Sequence, residues 1–405
     1  MAVNLPPLPE LYPVPGIRLG TTRAHIRKKD RRDLVVIECA PGTQAAAVFT
    51  QNRFCAAPVT VARDHLGQAA PRALLINTGF ANAGTGQEGM DDALQSCAAL
   101  AAILGCAPQA VVPFSTGVIG ERLPLERLVA GLPGCLNAMS DSGWAEAAHG
   151  IMTTDTLPKG SSRRVLIDGK TVTVTGIAKG AGMICPNMAT LLAFIATDAA
   201  VPSAVLQQCL SAAANESFNR ISVDGDTSTN DSCVLLATGK SGFEVRAAEG
   251  AAYKAFCDAV RDVLADLAQA IVRDAEGATK FITIDVVQGA SQADCLEVAY
   301  TIAHSPLVKT AFFASDPNWG RILAAIGRAR IPHLRVDRVS IHLDDVCIVR
   351  NGGRAPDYSE AQGKAVMARS EICVRVDLGA GTTSARLWTC DLSHDYVTIN
   401  AEYRT

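Results

Sequence analysis

The sequence predicts a protein of the mixed α/β (α+β) class. Short apolar segments alternate along the chain with longer segments of helical periodicity, and no internal repeat or low-complexity tract is visible. The chain of 405 residues is 48% hydrophobic and 19% charged, which is typical of a compact fold with a large buried core. Disorder is therefore not expected.

The first elements are two strands and a helix. Apolar runs predict strands at Leu34–Cys39 and 45–49. Apolar side chains at helical spacing then predict an amphipathic helix over 91–104, which Gly105 ends.

A strand and a hairpin follow. The apolar segment 110–114 leads into Ser115-Thr116-Gly117, where we expect a turn that offers backbone N–H groups. Two strands, 165–167 and 171–175, flank Asp168-Gly169, a dipeptide that favours a tight hairpin turn.

The segment 179–190 predicts a loop, because Gly180, Gly182 and Pro186 interrupt any regular element. A buried strand at 191–196 and a helix opened by Pro202 come next. Later strands are expected near 234–236, 281–287 and 339–343, and helices near 253–272 and Gln292–Ala303. Domain boundaries are weakly marked, and a second lobe is expected to begin near Ser305.

Charge and composition exclude several classes of function. The formal net charge is -3 and no long basic block occurs, so nucleic acid is not an expected partner. No apolar run reaches the roughly 18 residues of a membrane span, and the N-terminus lacks a secretory pattern, so we expect a cytoplasmic protein without membrane contact. The 13 Cys residues show no metal-binding spacing and predict reduced core thiols; Cys185, five residues before Thr190, is expected to be another of these.

Six separated segments, in this order, resemble the ArgJ-type ornithine acetyltransferase family. They are S-T-G-V-I-G from Ser115, M-T-T-D-T from Met152, K-G-A-G-M-I-C-P-N-M-A-T from Lys179, R-D-A-E-G-A-T-K from Arg273, D-P-N-W-G-R from Asp316 and I-N-A-E-Y-R-T at the C-terminus. The resemblance implies the layered α-β-β-α fold of ArgJ and DmpA-like proteins with a smaller C-terminal lobe. It also implies an acetyltransferase of arginine biosynthesis that moves the acetyl group of N2-acetyl-L-ornithine to L-glutamate.

The resemblance further implies self-cleavage between Ala189 and Thr190. Residues 1–189 become an alpha chain and residues 190–405 a beta chain, with the smaller lobe at about 305–405 and a heterotetramer of two of each chain. The chemistry is reasonable, since a free α-amino group of pKa ~8 can take the proton of its own Thr190 hydroxyl, which an amide nitrogen cannot. Thr190 then carries the acetyl group as an ester in a ping-pong reaction.

The resemblance assigns the remaining site residues as well. Thr116 and Gly117 form the oxyanion hole, and the substrate contacts are Thr153, Lys179, Thr190, Glu276, Asn400 and Thr405. We hypothesise that Lys179 binds an α-carboxylate and that Glu276 and the terminal carboxylate of Thr405 hold the δ-ammonium of ornithine. No metal or organic cofactor is expected, while acetyl-CoA is a candidate second acetyl source that would make the enzyme bifunctional.

Other interpretations stay open at this point. Without the resemblance, Thr190 would be interpreted as the first residue of a core strand and Thr116 as part of a hydroxyl-capped turn. Lys179 and Glu276 would be interpreted as solvated or mutually paired surface charges. An amidase or aminopeptidase with an N-terminal nucleophile, and a non-enzymatic amino-acid-binding protein, are the alternative functions.

Two further loops imitate known sites. The segment 377–383 resembles the phosphate loop of actin-type ATPases. The segment that starts at Asp224 imitates a calcium loop but lacks its sixth-position Gly and twelfth-position Glu, so we expect Arg220 and Asp224 to brace the site instead.

Overall fold

The computed structural model describes residues 2–27, 30–185 and 191–402. Ala189, Thr190 and Thr405 lie outside the described residues, so the predicted cleavage site, nucleophile and terminal carboxylate are named here without a structural account. None of the described helices is both long and apolar enough to cross a membrane.

The described residues form strands β1 to β16 and helices α1 to α11. The strands are β1 Ile17–Thr22, β2 Leu34–Cys39, β3 Gln44–Phe49, β4 Ala73–Phe80, β5 Val111–Val118, β6 Lys159–Ile167, β7 Lys170–Lys179, β8 Leu192–Thr197, β9 Ile221–Ser222, β10 Ser232–Ala237, β11 Phe281–Gly289, β12 Ser340–Leu343, β13 Val346–Arg350, β14 Gly353–Arg354, β15 Glu371–Asp377 and β16 Thr383–Cys390. The helices are α1 Ala57–Gln68, α2 Gly86–Leu104, α3 Leu125–Asn137, α4 Trp144–Gly150, α5 Ser203–Glu216, α6 Gly250–Arg273, α7 Gln292–Ala303, α8 Pro306–Phe313, α9 Trp319–Gly327, α10 Glu360–Met367 and α11 His394–Ala401.

Two sheets stack face to face in the first part of the chain. One has the strand order β1-β2-β4-β5 and the other β3-β10-β8-β7-β6. Side chains from both sheets meet in one core, where the rings of Phe114 and Phe194 pack edge to face with centroids 5.0 Å apart. An edge-to-face pair of this kind contributes beyond the area that it buries.

Helices cover the outer face of each sheet. In β2, Val35 and Ile37 point to the partner sheet, while Leu34 and Val36 pack with α2 and α3. Strand β8 alternates likewise, with Ala193 and Ile195 against α5 and α6. Because successive strand residues face opposite sides, strands that are covered on both faces read as continuous apolar runs. The layers are therefore α-β-β-α, and the predicted fold class is confirmed.

A third sheet carries the C-terminal part of the chain. Its strand order is β14-β13-β12-β15-β11-β16-β9, and it has its own core with α7, α9 and α10. That core begins at Ile282, and Ser305 lies between α7 and α8 inside this unit.

Several local predictions match the structure and one is wrong. The strand Leu34–Cys39 and the helix Gln292–Ala303 have the predicted bounds, and the 168–169 turn joins β6 and β7. The turn expected at Ser115-Thr116-Gly117 does not form, because β5 runs on to Val118 and pairs in parallel with β4. Pairing with β4 overrides the local preference of these small polar residues for a turn.

Candidate functional site

One cavity of about 250 Å³ gathers the predicted site residues that the structure describes. They come from the ends of β5 and β7, from the loops after α4 and α6, and from α11. The residues are Thr116, Gly117, Thr153, Lys179, Glu276 and Asn400. Leu191, which follows Thr190 in the sequence, also lines this cavity.

Thr116 and Gly117 lie in β5 where it runs beside β4. Gly117 has φ +135°, and a Cβ added to it would lie 2.2 Å from the carbonyl carbon of Gly79, so only glycine fits this close approach. Asn230 fixes the same strand, because its Nδ2 donates to the carbonyl oxygen of Ser115 at 2.9 Å and also to that of Ala81. The backbone at the predicted oxyanion hole is thus rigidly held.

Lys179 ends β7 and reaches the same point. Its Nζ donates to Thr116 Oγ1 at 3.3 Å, so the hydroxyl proton of Thr116 remains available to another acceptor. Burial lowers the pKa of Lys179, and the neighbouring carboxylates of Asp155 and Glu276 oppose that effect. Nearby negative charge therefore favours the protonated form of this lysine.

Glu276 and Asn400 form the acidic side of the cavity. The side chain of Glu276 is largely buried, and its Oε2 accepts a hydrogen bond of 2.8 Å from Asn400 Nδ2. Gly182 packs directly against this carboxylate, since an added Cβ would lie 2.2 Å from Oε2. The cavity thus offers a carboxylate to a positively charged group of a substrate and an ammonium to a negatively charged one.

Asp224 holds the loop that follows β7. Its carboxylate accepts the backbone N–H groups of Met183 at 2.6 Å and Ile184 at 2.9 Å, and the hydroxyl of Tyr396 at 3.2 Å. These contacts hold the loop in place, which is the role that the sequence predicted for Asp224. Arg220 instead donates to the carbonyl oxygen of Asn215 at the end of α5.

Sequence reasoning missed Asp231, an acid in the cavity wall. It is buried beside Lys179 and Leu191, and its Oδ2 has no hydrogen-bond partner among the described residues. Burial raises the pKa of Asp231 well above its ordinary value, which favours the neutral acid. An acid just before the apolar strand β10 looks in sequence like an ordinary strand start, so no pattern indicated it.

Cys185 is a half-buried thiol, although a core thiol was expected. Its Sγ lies 3.4 Å from Nε2 of His304, and burial raises the pKa of the thiol to about 11. The neutral thiol is a poor nucleophile.

The loop that resembles a phosphate loop has its backbone donors occupied. The N–H of Gly379 donates to Asp377 Oδ1 at 2.9 Å, and those of Ala380 and Gly381 donate to the carbonyl oxygen of Gln288 at 2.8 and 2.9 Å. A phosphate loop needs such N–H groups free to cradle oxygens. The geometry therefore argues against a nucleotide site here.

Taken together, the fold and the cavity define an α-β-β-α protein with a small, partly open site for acyl or amino-acid chemistry. The family is settled by comparison: a model of the ArgJ family matches residues 18–405, and the chain belongs to that family. The resemblance found in the sequence is thereby confirmed.

Relatives match over the full length. The chain is 56% identical over 406 aligned positions to the "Arginine biosynthesis bifunctional protein ArgJ" of Pseudomonas syringae pv. tomato, with 100% of each chain covered. The protein of the same name from Pseudomonas fluorescens is also 56% identical, again over 100% of each chain.

Solved structures of similar proteins exist. The arginine biosynthesis bifunctional protein argJ of Bacillus halodurans is 38% identical, with a TM-score of 0.48 over 50% of this chain and 95% of that chain. The ornithine acetyltransferase of Mycobacterium tuberculosis, complexed with ornithine, is 34% identical, with a TM-score of 0.39 over 44% of this chain and 94% of that chain.

Proposed function

We propose that the chain is a glutamate N-acetyltransferase (ornithine acetyltransferase) of arginine biosynthesis that moves the acetyl group of N2-acetyl-L-ornithine to L-glutamate. The observation that carries this proposal is the convergence of six residues, distant in sequence, on one small cavity next to Leu191. The family and the printed names of the relatives support a role in arginine biosynthesis.

The reaction proceeds through Thr190 in two steps. After cleavage between Ala189 and Thr190, the α-amine takes the hydroxyl proton while the oxygen attacks the acetyl carbonyl. The C–N bond to ornithine breaks, the proton passes to the leaving amine, and an acetyl ester remains on Thr190. The neutral amine of glutamate then attacks this ester, and Thr190 recovers its hydroxyl proton as acetylglutamate leaves.

Thr116 and Gly117 stabilise the oxyanion in both steps. Thr116 suits this role because Lys179 donates to its oxygen, which leaves the hydroxyl proton to be directed at the substrate. Their backbone is held against β4 before any substrate arrives, so the donors need little reorganisation during the reaction.

Lys179 and Glu276 divide the recognition of the substrates between them. The ammonium of Lys179 binds the α-carboxylate that both substrates share, and Glu276 with Asn400 meets the δ-ammonium of ornithine. Thr153 lines the same cavity, and Thr405 is proposed as a further contact for ornithine. A cavity of about 250 Å³ suits a substrate of this size.

Four parts of the proposal go beyond membership of the family. Acetyl-CoA serves as a second acetyl donor, in keeping with the word bifunctional in the names of the relatives. The alpha chain 1–189 and the beta chain 190–405 assemble as two of each. The enzyme works in the cytoplasm, without a metal or organic cofactor.

Intact mass and product analysis test the proposal together. The wild-type protein is expected to give two fragments and to form acetylglutamate from acetylornithine and glutamate, whereas Thr190→Ala is expected to stay uncut and inactive. Active wild-type protein that consists of one uncut chain rejects the mechanism. Release of acetate without acetylglutamate favours the amidase alternative.

A further inference from the structure

A fully buried lysine joins two buried carboxylates next to the substrate cavity. Lys159 Nζ lies 2.6 Å from Asp155 Oδ1 and 2.7 Å from Asp274 Oδ2, and all three side chains are at most 1% exposed. Burying charges is costly unless they are paired and hydrogen-bonded. The two carboxylates and one ammonium carry one net negative charge. The ammonium of Lys179 also acts on Asp155 and supplies the positive charge that balances the cluster.

Asp155 holds two elements of the proposed substrate site at once. Its Oδ2 accepts the backbone N–H of Thr153 at 2.9 Å, and its Oδ1 accepts that of Gly180 at 2.7 Å. Gly180 follows Lys179 directly, so a single carboxylate sets the position of Thr153 and of the lysine together.

Asp274 extends this arrangement to the acidic side of the cavity. Its Oδ2 accepts the backbone N–H groups of Thr156 at 2.9 Å and Leu157 at 3.2 Å. Its own backbone ends α6 two residues before Glu276. Lys159 therefore ties the segment that carries Thr153 to the segment that carries Glu276.

The charges of this cluster affect one another. Burial alone would raise the pKa of Asp155, but the ammonium groups of Lys159 and Lys179 outweigh burial and hold the pKa below its ordinary value. Burial lowers the pKa of Lys179, with Lys159 acting in the same direction. The carboxylates of Asp155 and Glu276 act in the opposite direction. Asp155 has the largest effect among these opposing charges and so contributes most to favouring the protonated form of Lys179.

We propose that Asp155 and Lys159 are positioning residues of the substrate site: the pair, anchored on Asp274, aligns Thr153 with Lys179 and supplies the counter-charge for the Lys179 ammonium. This inference rests on the proposed function, because it takes Lys179 as the group that binds the substrate carboxylate. Neither Asp155 nor Lys159 lines the cavity, so both act through residues that do.

Asp155→Asn tests the pair, because the amide keeps the shape of the side chain and removes its charge. We expect KM for both acetylornithine and glutamate to rise roughly 10-fold or more, since both substrates present the carboxylate that Lys179 binds. We also expect the alkaline limb of the kcat/KM profile to move to lower pH, because Lys179 loses its proton more easily without this counter-charge. A purely structural defect would lower kcat through a smaller active fraction and leave both KM and the limb in place.

Asp155→Glu separates alignment from charge. It keeps the negative charge and displaces the carboxylate by one methylene, so we expect a raised KM with the alkaline limb near its wild-type position. Should Asp155→Asn fail to fold or to mature, Asp155→Glu alone decides the alignment role. The matched control is Asp198→Asn, a buried carboxylate that accepts the N–H of Thr173 at 2.8 Å at the far end of β8, for which KM and the limb should not change.

Wild-type values of KM and of the alkaline limb in Asp155→Asn, or a wild-type KM in Asp155→Glu, overturn the proposal. The wild-type protein is measured in the same assay, and its inability to form acetylglutamate would count against the proposed function instead. Failure of the proposed function would therefore show in the wild-type protein, whereas failure of this inference would show only in the Asp155 variants.

Discussion

Replacing Gly117 with alanine should damage the proposed oxyanion hole through backbone displacement alone. An added Cβ would lie 2.2 Å from the carbonyl carbon of Gly79 and 2.5 Å from its oxygen, and the φ of +135° disfavours any L side chain. One of the two paired strands must therefore move by more than about 1 Å before these atoms reach ordinary contact distance. The N–H of Gly117 moves with its strand.

The size of the effect follows from that displacement. A misplacement of about 1 Å at a catalytic group can lower turnover by ~100-fold, and overpacking of this kind destabilises by about 1–3 kcal/mol. We expect Gly117→Ala to form acetylglutamate with kcat reduced by ~100-fold at nearly unchanged KM, measured by initial rates on material whose cleavage is verified by intact mass.

Gly120→Ala is the matched control for this substitution. Gly120 also has a positive φ of +83°, but a Cβ there meets no described atom within 4 Å. It should cost about 1 kcal/mol of stability, seen as a small drop in Tm, and leave kcat unchanged. If Gly117→Ala turned over acetylornithine within threefold of the wild-type rate, the close approach of Gly79 and Gly117 would have no catalytic role.

Two other substitutions probe groups in the same cavity. Thr116→Val keeps the shape of the side chain but removes the hydroxyl, and it should lower kcat by ~100-fold or more, whereas Thr116→Ser should stay within about tenfold of wild type; equal rates for the two variants would exclude the hydroxyl as an oxyanion donor. For Asp231, whose folded-state pKa is raised, the stabilising contribution of the neutral acid is present at low pH and is lost as pH rises through the folded-state pKa. The Tm of Asp231→Asn minus that of wild type, measured in thermal melts, should therefore increase between about pH 4.5, just above the ordinary Asp pKa of about 3.9, and about pH 7.5. A constant difference over this range would mean that Asp231 is ionised in the folded protein.

The sequence predicted elements well where local pattern alone determines structure. The apolar run of β2 and the helical periodicity of α7 were sufficient to give their bounds. The prediction was wrong at Ser115-Thr116-Gly117, because the pairing of β5 with β4 joins segments about 38 residues apart, and such pairing is not encoded in either segment by itself.

The predicted site residues came from the family resemblance, and the described ones do meet in one cavity. The resemblance names residues that face substrate, but it gives no role to those that hold them in place. Asp231 and Asn230 were missed for this reason, since their importance lies in burial and in contacts such as that of Asn230 with Ala81, 149 residues away. Only the folded chain brings such groups together.

The charges around Lys179 explain why the supporting residues matter as much as those that face the substrate. A lysine in a partly buried cavity tends to lose its proton, and a neutral amine binds a carboxylate weakly. Placing one carboxylate beside it would restore the proton, yet an isolated buried carboxylate is itself unstable as an anion. Lys159 stabilises the Asp155 anion by forming an ion pair with it, and Asp274 forms a second ion pair with Lys159. The proposed recognition of a substrate carboxylate by Lys179 would therefore depend on Lys159 and Asp274, which are 115 positions apart in the sequence, and loss of either charge should affect the others.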